Sequence, residues 1–187
     1  MIWLILGVLL WSVAHLLKGA AGTLRQSFID SLGADKYRSV FSLVIVASLV
    51  LMVLGWRSTT PELVYAPPTW GRHLTMLTML ISMVLFAAAG MPSNLKRNLR
   101  HPQLTGVIVW SFGHLIANGD SRSLILFGGI GLWALIEIPL INAREGEWKK
   151  PEAKPRAADI RAVLGGVVGY VILLFAHKYL FGVSPMM

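Results

Sequence analysis

Six apolar stretches, residues 2–17, 39–56, 73–90, 104–117, 123–141 and 160–181, divide this chain, and each reads as a membrane-crossing helix. Stretches 2–17 and 104–117 fall short of the ~20 residues of a full crossing, so they are either thinly anchored or extended by polar neighbours. The expected fold is all-α: one polytopic integral membrane helix bundle of about six transmembrane helices over residues 1–187. Residues 142–159, with Pro151 and Pro155, have the composition of a flexible cytoplasmic loop, and 59–69, with Pro61, Pro67 and Pro68, form the matching outer loop. No internal repeat stands out, which leaves an inverted-repeat transporter with little support.

Composition agrees with the pattern. The chain is 55% hydrophobic and 14% charged, with a mean hydropathy of +0.64, too apolar for a soluble domain. Its net charge of +8 is distributed by loop. Lys18, Arg25, Lys36 and Arg38 follow the first stretch, Lys96, Arg97 and Arg100 the third, and Arg144, Lys149, Lys150, Lys154, Arg156 and Arg161 the fifth. These 13 of the 17 basic residues place three connections in the cytoplasm and both termini outside it. The charge therefore reports topology and contact with the lipid bilayer, and nucleic acid is not an expected partner. The small residues Ala20, Ala21 and Gly22 resemble a cleavage site, but positive charge follows the apolar run instead of preceding it, so a retained first span is expected. Trp56, Trp70 and Trp148 lie near span ends, where interfacial aromatics belong.

Of the histidines within the apolar stretches, His73 opens the third and His177 lies toward the outer end of the last, which leaves His15 and His114, where an ionisable side chain is a functional candidate. With no cysteine in the chain, thiolate-ligated metal and covalent haem attachment are excluded, and histidine is the natural ligand for a buried metal or haem iron. His101-Pro102 starts a helix at the cytoplasmic surface. Along it Val107, Trp110, Ser111, His114 and Asn118 share a face, with Gly106 and Gly113 allowing close approach, and Asn118-Gly119-Asp120 supplies a turn. The first stretch offers Trp11, Ser12 and His15. At 1.5 Å per residue, His15 lies about 20 Å below the outer surface and His114 about 15 Å above the inner one, in a core about 30 Å thick. The two depths differ by about 5 Å, a mismatch that ordinary helix tilt absorbs, so one haem between two imidazoles is permitted.

Other residues carry alternatives. His101 suits a helix start or headgroup contact, a substrate or proton-transfer role, or a lesser metal ligand. His177 suits an interfacial anchor or a lesser metal ligand, and His73 the outer interface. Glu137, inside the fifth stretch, either orients a ligating histidine or is drawn toward the cytoplasm to pair with Arg144 or Lys18. Thr75, Thr78 and Ser82 form one stripe of the third stretch, read as local bonding or packing, beside Met76, Met79 and Met83, read as filler or alternative axial ligands. Gly165, Gly166 and Gly169 suit close helix packing or a homo-oligomer.

The run from His101 to Asp120, Ala14-His15-Leu16 followed by Leu24-Arg25 and Tyr37-Arg38, and the closing Ala176-His177-x-x-Leu180-x-Gly182-Val183 resemble the NnrU family over nearly the whole chain. That family includes bacterial inner-membrane proteins encoded near denitrification functions, and the plant 15-cis-zeta-carotene isomerases are similar to it. The resemblance implies a non-covalent haem b held by His15 and His114, with Trp11, Trp110, Ser111, Gly113 and Glu137 around it. Where the isomerase branch has a cysteine as alternative ligand, this chain has Ser111, a poor substitute for thiolate.

The leading expectation is a haem b protein with a redox or gas-responsive role linked to nitric oxide metabolism and a respiratory redox partner. A second is a haem-dependent cis–trans isomerase of an apolar isoprenoid. A third is a cofactor-free assembly factor for a respiratory reductase. No P-loop, dinucleotide fingerprint or serine triad is present in the sequence.

Overall fold

A computed structural model describes residues 1–20 and 22–186, the side chains of residues 18–20 aside. The chain is helical throughout its apolar stretches: α1 (Ile2–Ala20), α2 (Gly22–Leu32), α3 (Ala34–Ser58), α4 (Gly71–Gly90), α5 (Leu95–Asn98), α6 (Pro102–Ala117), α7 (Ser121–Ser123), α8 (Gly129–Glu145) and α9 (Arg156–Phe181). A π-helical segment, Leu124–Gly128, joins α7 to α8. Polar residues extend several helices past their apolar stretch. In α3, Asp35 sits in the first turn and Arg57 in the last, each matching the sign of the helix dipole at its end.

Among the described residues four helical segments are long and apolar enough to cross a membrane, Ala34–Ser58, Gly71–Gly90, Ser121–Glu145 and Arg156–Phe181, or up to five if α1 and α2 form one bent span. The protein is thus an all-α membrane protein, while a count of six full-length spans is not reached among the described residues. α6, with 16 residues, is only about 24 Å long. The segment after α1, expected as a connection, contains α2, a helix with no buried residue and a Gln26–Asp30 hydrogen bond of 2.8 Å along its surface. The connection expected as a cytoplasmic loop is shorter than the sequence suggests, because residues 142–145 finish α8 and 156–159 begin α9. Ala21 and the Lys18 side chain, invoked above for a cleavage site and as a partner of Glu137, lie outside the described residues.

The chain forms two compact units, Met1–Ala66 with Gly119–Glu147, and Pro67–Asn118 with Trp148–Met187. In the first, α1 packs along α3 and α8. Lipid offers little hydrophobic drive for helix pairing, so close approach at small residues decides the contact. A Cβ on Gly7 would sit 2.8 Å from the Ser48 carbonyl oxygen of α3, and one on Gly55 would collide with the Leu4 backbone. Leu4 and Ser48 are fully buried at this seam. The loop between α3 and α4 docks on the start of α7: Val64 N–H donates to Gly119 O at 2.8 Å, and Ser121 N–H to Glu62 O at 2.9 Å. Asp120 caps α7 by accepting from the N–H groups of Arg122 and Ser123, and the Arg122 guanidinium stacks 4.6 Å over Trp56.

In the second unit α4 packs along both α6 and α9. The hydroxyl stripe of α4 bonds across helices: Ser82 donates to Gly106 O at 2.8 Å and Thr75 to Gly113 O at 2.7 Å. Gly113 itself lies against Thr78. On the other side, Gly166 of α9 meets the Val84 backbone and Gly169 meets Met83, so these glycines serve helix packing within the unit. Asp159, in the first turn of α9, accepts from Ser93 Oγ at 2.8 Å and from Asn94 N at 2.7 Å. Gly182 closes α9 with φ 76°, in the left-handed region that favours glycine.

Candidate histidine sites

His15 occupies α1 of the first unit. Its Nδ1 lies 2.9 Å from the carbonyl oxygen of Trp11, one turn earlier. A carbonyl only accepts, so Nδ1 carries the hydrogen and the neutral ring keeps its lone pair on Nε2. Three aromatic rings surround it: Trp11 at 4.4 Å, Trp133 of α8 at 4.9 Å and Phe41 of α3 at 5.5 Å between centroids. Trp133 is 7% exposed and meets Trp11 edge-on at 5.5 Å. The indole N–H groups of Trp11 and Trp133 are buried with no hydrogen-bond partner among the described residues. One turn beyond Trp133, Glu137 is buried, at 6% exposure.

His114 occupies α6 of the second unit, in the same local arrangement. Its Nδ1 donates to Trp110 O at 2.9 Å, again one turn back, and the two rings lie 5.1 Å apart. Asn118 Nδ2 donates to His114 O at 2.8 Å, finishing the helix end. Ser111, 3% exposed, has a buried hydroxyl with no partner among the described residues, whereas the corresponding Ser12 donates to Val8 O at 2.8 Å.

These parallels extend along the sequence. Residues 7–17 and 106–116 share Gly, Val, Trp, Ser, His and Leu at six of eleven positions: Gly7/Gly106, Val8/Val107, Trp11/Trp110, Ser12/Ser111, His15/His114 and Leu16/Leu115. The expectation of no internal repeat is therefore corrected at the level of this segment. One copy falls in each unit, and each packs its glycine against a partner helix that carries a fully buried serine, Ser48 on α3 and Ser82 on α4. A register shift of 99 residues reveals it; hydropathy alone does not. Sequence reasoning also missed Trp133 and Phe41, which carry no motif and reach His15 only through helix packing.

The other candidates are placed as follows. His101 stands at the N-cap of α6 without a side-chain capping bond, followed by Pro102 in the first turn. His177 donates Nδ1–H to Val183 O at 2.7 Å. His73 is exposed at the start of α4. Among the described residues no group of three or more His, Asp or Glu gathers as a metal site. A haem brings its own four nitrogens and asks the protein for only one or two axial donors. The imidazoles of His15 and His114 fit that request, each with Nδ1–H engaged by a backbone carbonyl as ligating histidines usually are.

The family model described as NnrU protein matches residues 3–185. No match was found among curated proteins or among solved structures.

Proposed function

This chain belongs to the NnrU family, and from that premise we propose that it is a haem b protein of the bacterial cytoplasmic membrane, with both termini outside the cytoplasm and a redox or gas-responsive role in denitrification. One observation carries the reading: both intramembrane histidines donate Nδ1–H to the tryptophan carbonyl one turn earlier, which presents the same nitrogen, Nε2, as the donor. An imidazole held this way is fixed in tautomer and orientation and made more basic by its hydrogen bond, two properties that favour iron over a structural role.

A bound haem supplies a one-electron ferric–ferrous couple whose potential follows its axial ligands and surroundings. His15 and His114 are the residues that would hold the iron. Trp11, Trp133 and Phe41 pack around His15 and fix the position of its ring. Ser111, one turn before His114, offers a hydroxyl able to donate to an acceptor. The test is purification in mild detergent from haem-replete cells. The proposal expects a coloured protein with about one non-covalent haem b per chain, extractable into acidified organic solvent. A colourless preparation that also fails to take up added hemin would overturn it in favour of a partner-binding role.

A further inference from the structure

The short helix α5 and the segment before α9 form a recess of about 240 Å3 lined by Asn94, Arg97, Asn98 and Lys150. Its polar groups are all cationic or amide, with no carboxylate among them. The nearby acid, Asp159, is already occupied by Ser93 and by both the backbone and the side-chain N–H groups of Asn94. Asn94 is itself fully committed: Nδ2 also donates to Lys154 O at 2.8 Å, and Oδ1 accepts from Lys154 N at 2.8 Å. These bonds hold Lys154, four residues after Lys150, to Asn94 at the start of α5. Arg97, which lines the recess, has its Nε buried with no hydrogen-bond partner among the described residues. A guanidinium N–H withdrawn from water is costly unless an acceptor arrives, and a planar guanidinium suits the paired oxygens of a phosphate. Lys150 Nζ stands 5.6 Å over the Trp148 ring, an interfacial aromatic beside a cation.

We propose that this recess binds a phosphate group, with Arg97 and Lys150 as its charged donors and Asn98 as an amide donor. The chemistry fits the phosphodiester of an anionic phospholipid headgroup or free phosphate. The recess adjoins the cytoplasmic end of α4 in the topology set by the basic loops, the depth at which headgroup phosphates lie. It shares no residue with the histidine sites, so it stands or falls independently of the haem.

The test measures thermal stability and lipid retention of the full chain in nanodiscs of phosphatidylcholine alone, phosphatidylcholine with phosphatidylglycerol, and phosphatidylcholine with millimolar inorganic phosphate. Variants are Arg97→Gln and Lys150→Gln, with Lys149→Gln as a control of equal charge change outside the recess. Loss of about fivefold in apparent affinity is expected for each recess variant and little for the control. Stabilisation by phosphatidylglycerol that is lost in the recess variants supports the site with a lipid source. Stabilisation by inorganic phosphate lost in the same way supports it with a soluble source. Equal responses in wild type, recess variants and control show only diffuse charge attraction and overturn the proposal. Should Arg97→Gln fail to fold, Arg97→Lys keeps the charge, loses the fork, and is expected to weaken binding while retaining the salt dependence.

Discussion

The imidazole of His15 lies 4.9 Å from the indole of Trp133, although 118 residues separate them in sequence. Helix α8 thereby closes an aromatic wall that α1 begins with Trp11 and α3 continues with Phe41. Trp133→Ala is expected to cost about 3–5 kcal/mol of stability, in the range of large aromatic truncations in a core. Trp133→Phe keeps most of the wall and is expected to fold, with weaker haem retention through looser positioning of His15. Unfolding in detergent together with haem content per chain separates the two effects. Unchanged stability in Trp133→Ala would show that the wall is not a packing element.

Close helix approach in the first unit depends on glycine. Gly55→Ala drives a methyl into the Leu4 backbone, which cannot yield as a side chain can, so a loss of about 1–3 kcal/mol or more is expected. Gly128→Ala meets nothing within 4 Å and serves as the control, neutral within about 0.5 kcal/mol. Equal thermal midpoints for the two variants would contradict the assigned packing of α1 on α3.

Two buried serines are expected to respond differently. Ser82→Ala removes a cross-helix bond to Gly106 O and is expected to lose about 0.5–1.5 kcal/mol. Ser111→Ala removes a buried hydroxyl without a partner and is expected to be neutral or stabilising in the haem-free protein. Stability of both variants measured without haem decides this. A clear destabilisation by Ser111→Ala would mean that its hydroxyl has a partner.

Acidification is expected to loosen the start of the Ser121–Glu145 helix. Burial alone would raise the Asp120 carboxyl, but hydrogen bonds from Ser123 and Arg122 and the Arg122 charge together hold it below the ordinary carboxylate value. A group depressed in the folded state contributes stability that is complete above its unfolded pKa, about 3.9, and is lost as pH falls through its folded value. Asp120→Asn is expected to lower stability by about 1 kcal/mol at pH 7 and to flatten the decline below about pH 4. Parallel pH profiles for wild type and variant would refute the cap's electrostatic part.

The helices were legible because their apolar runs approach bilayer length, and the start of α6 because His101-Pro102 marks it. Their ends were less so: α3 begins at Ala34 and α9 at Arg156, where polar residues continue a helix that hydropathy alone stops. α2 escaped because an exposed polar helix has no membrane signature. His15 and His114 were found as ionisable groups in apolar runs, and their tryptophans by helical spacing. Trp133 and Phe41 were not, since a contact between distant helices leaves no local mark. The bonds of Thr75 and Ser82 to α6 carbonyls were likewise beyond a stripe pattern that fits local bonding equally well.

The most direct measurement of the central claim is the absorption spectrum of purified protein, oxidised and dithionite-reduced, for wild type, His15→Ala, His114→Ala and His101→Ala. Bis-imidazole ligation predicts a sharp reduced α-band in wild type and His101→Ala that is lost in both His15→Ala and His114→Ala. A haem spectrum that survives both substitutions unchanged would contradict the assignment and move the iron to other donors, with His177 the first to examine.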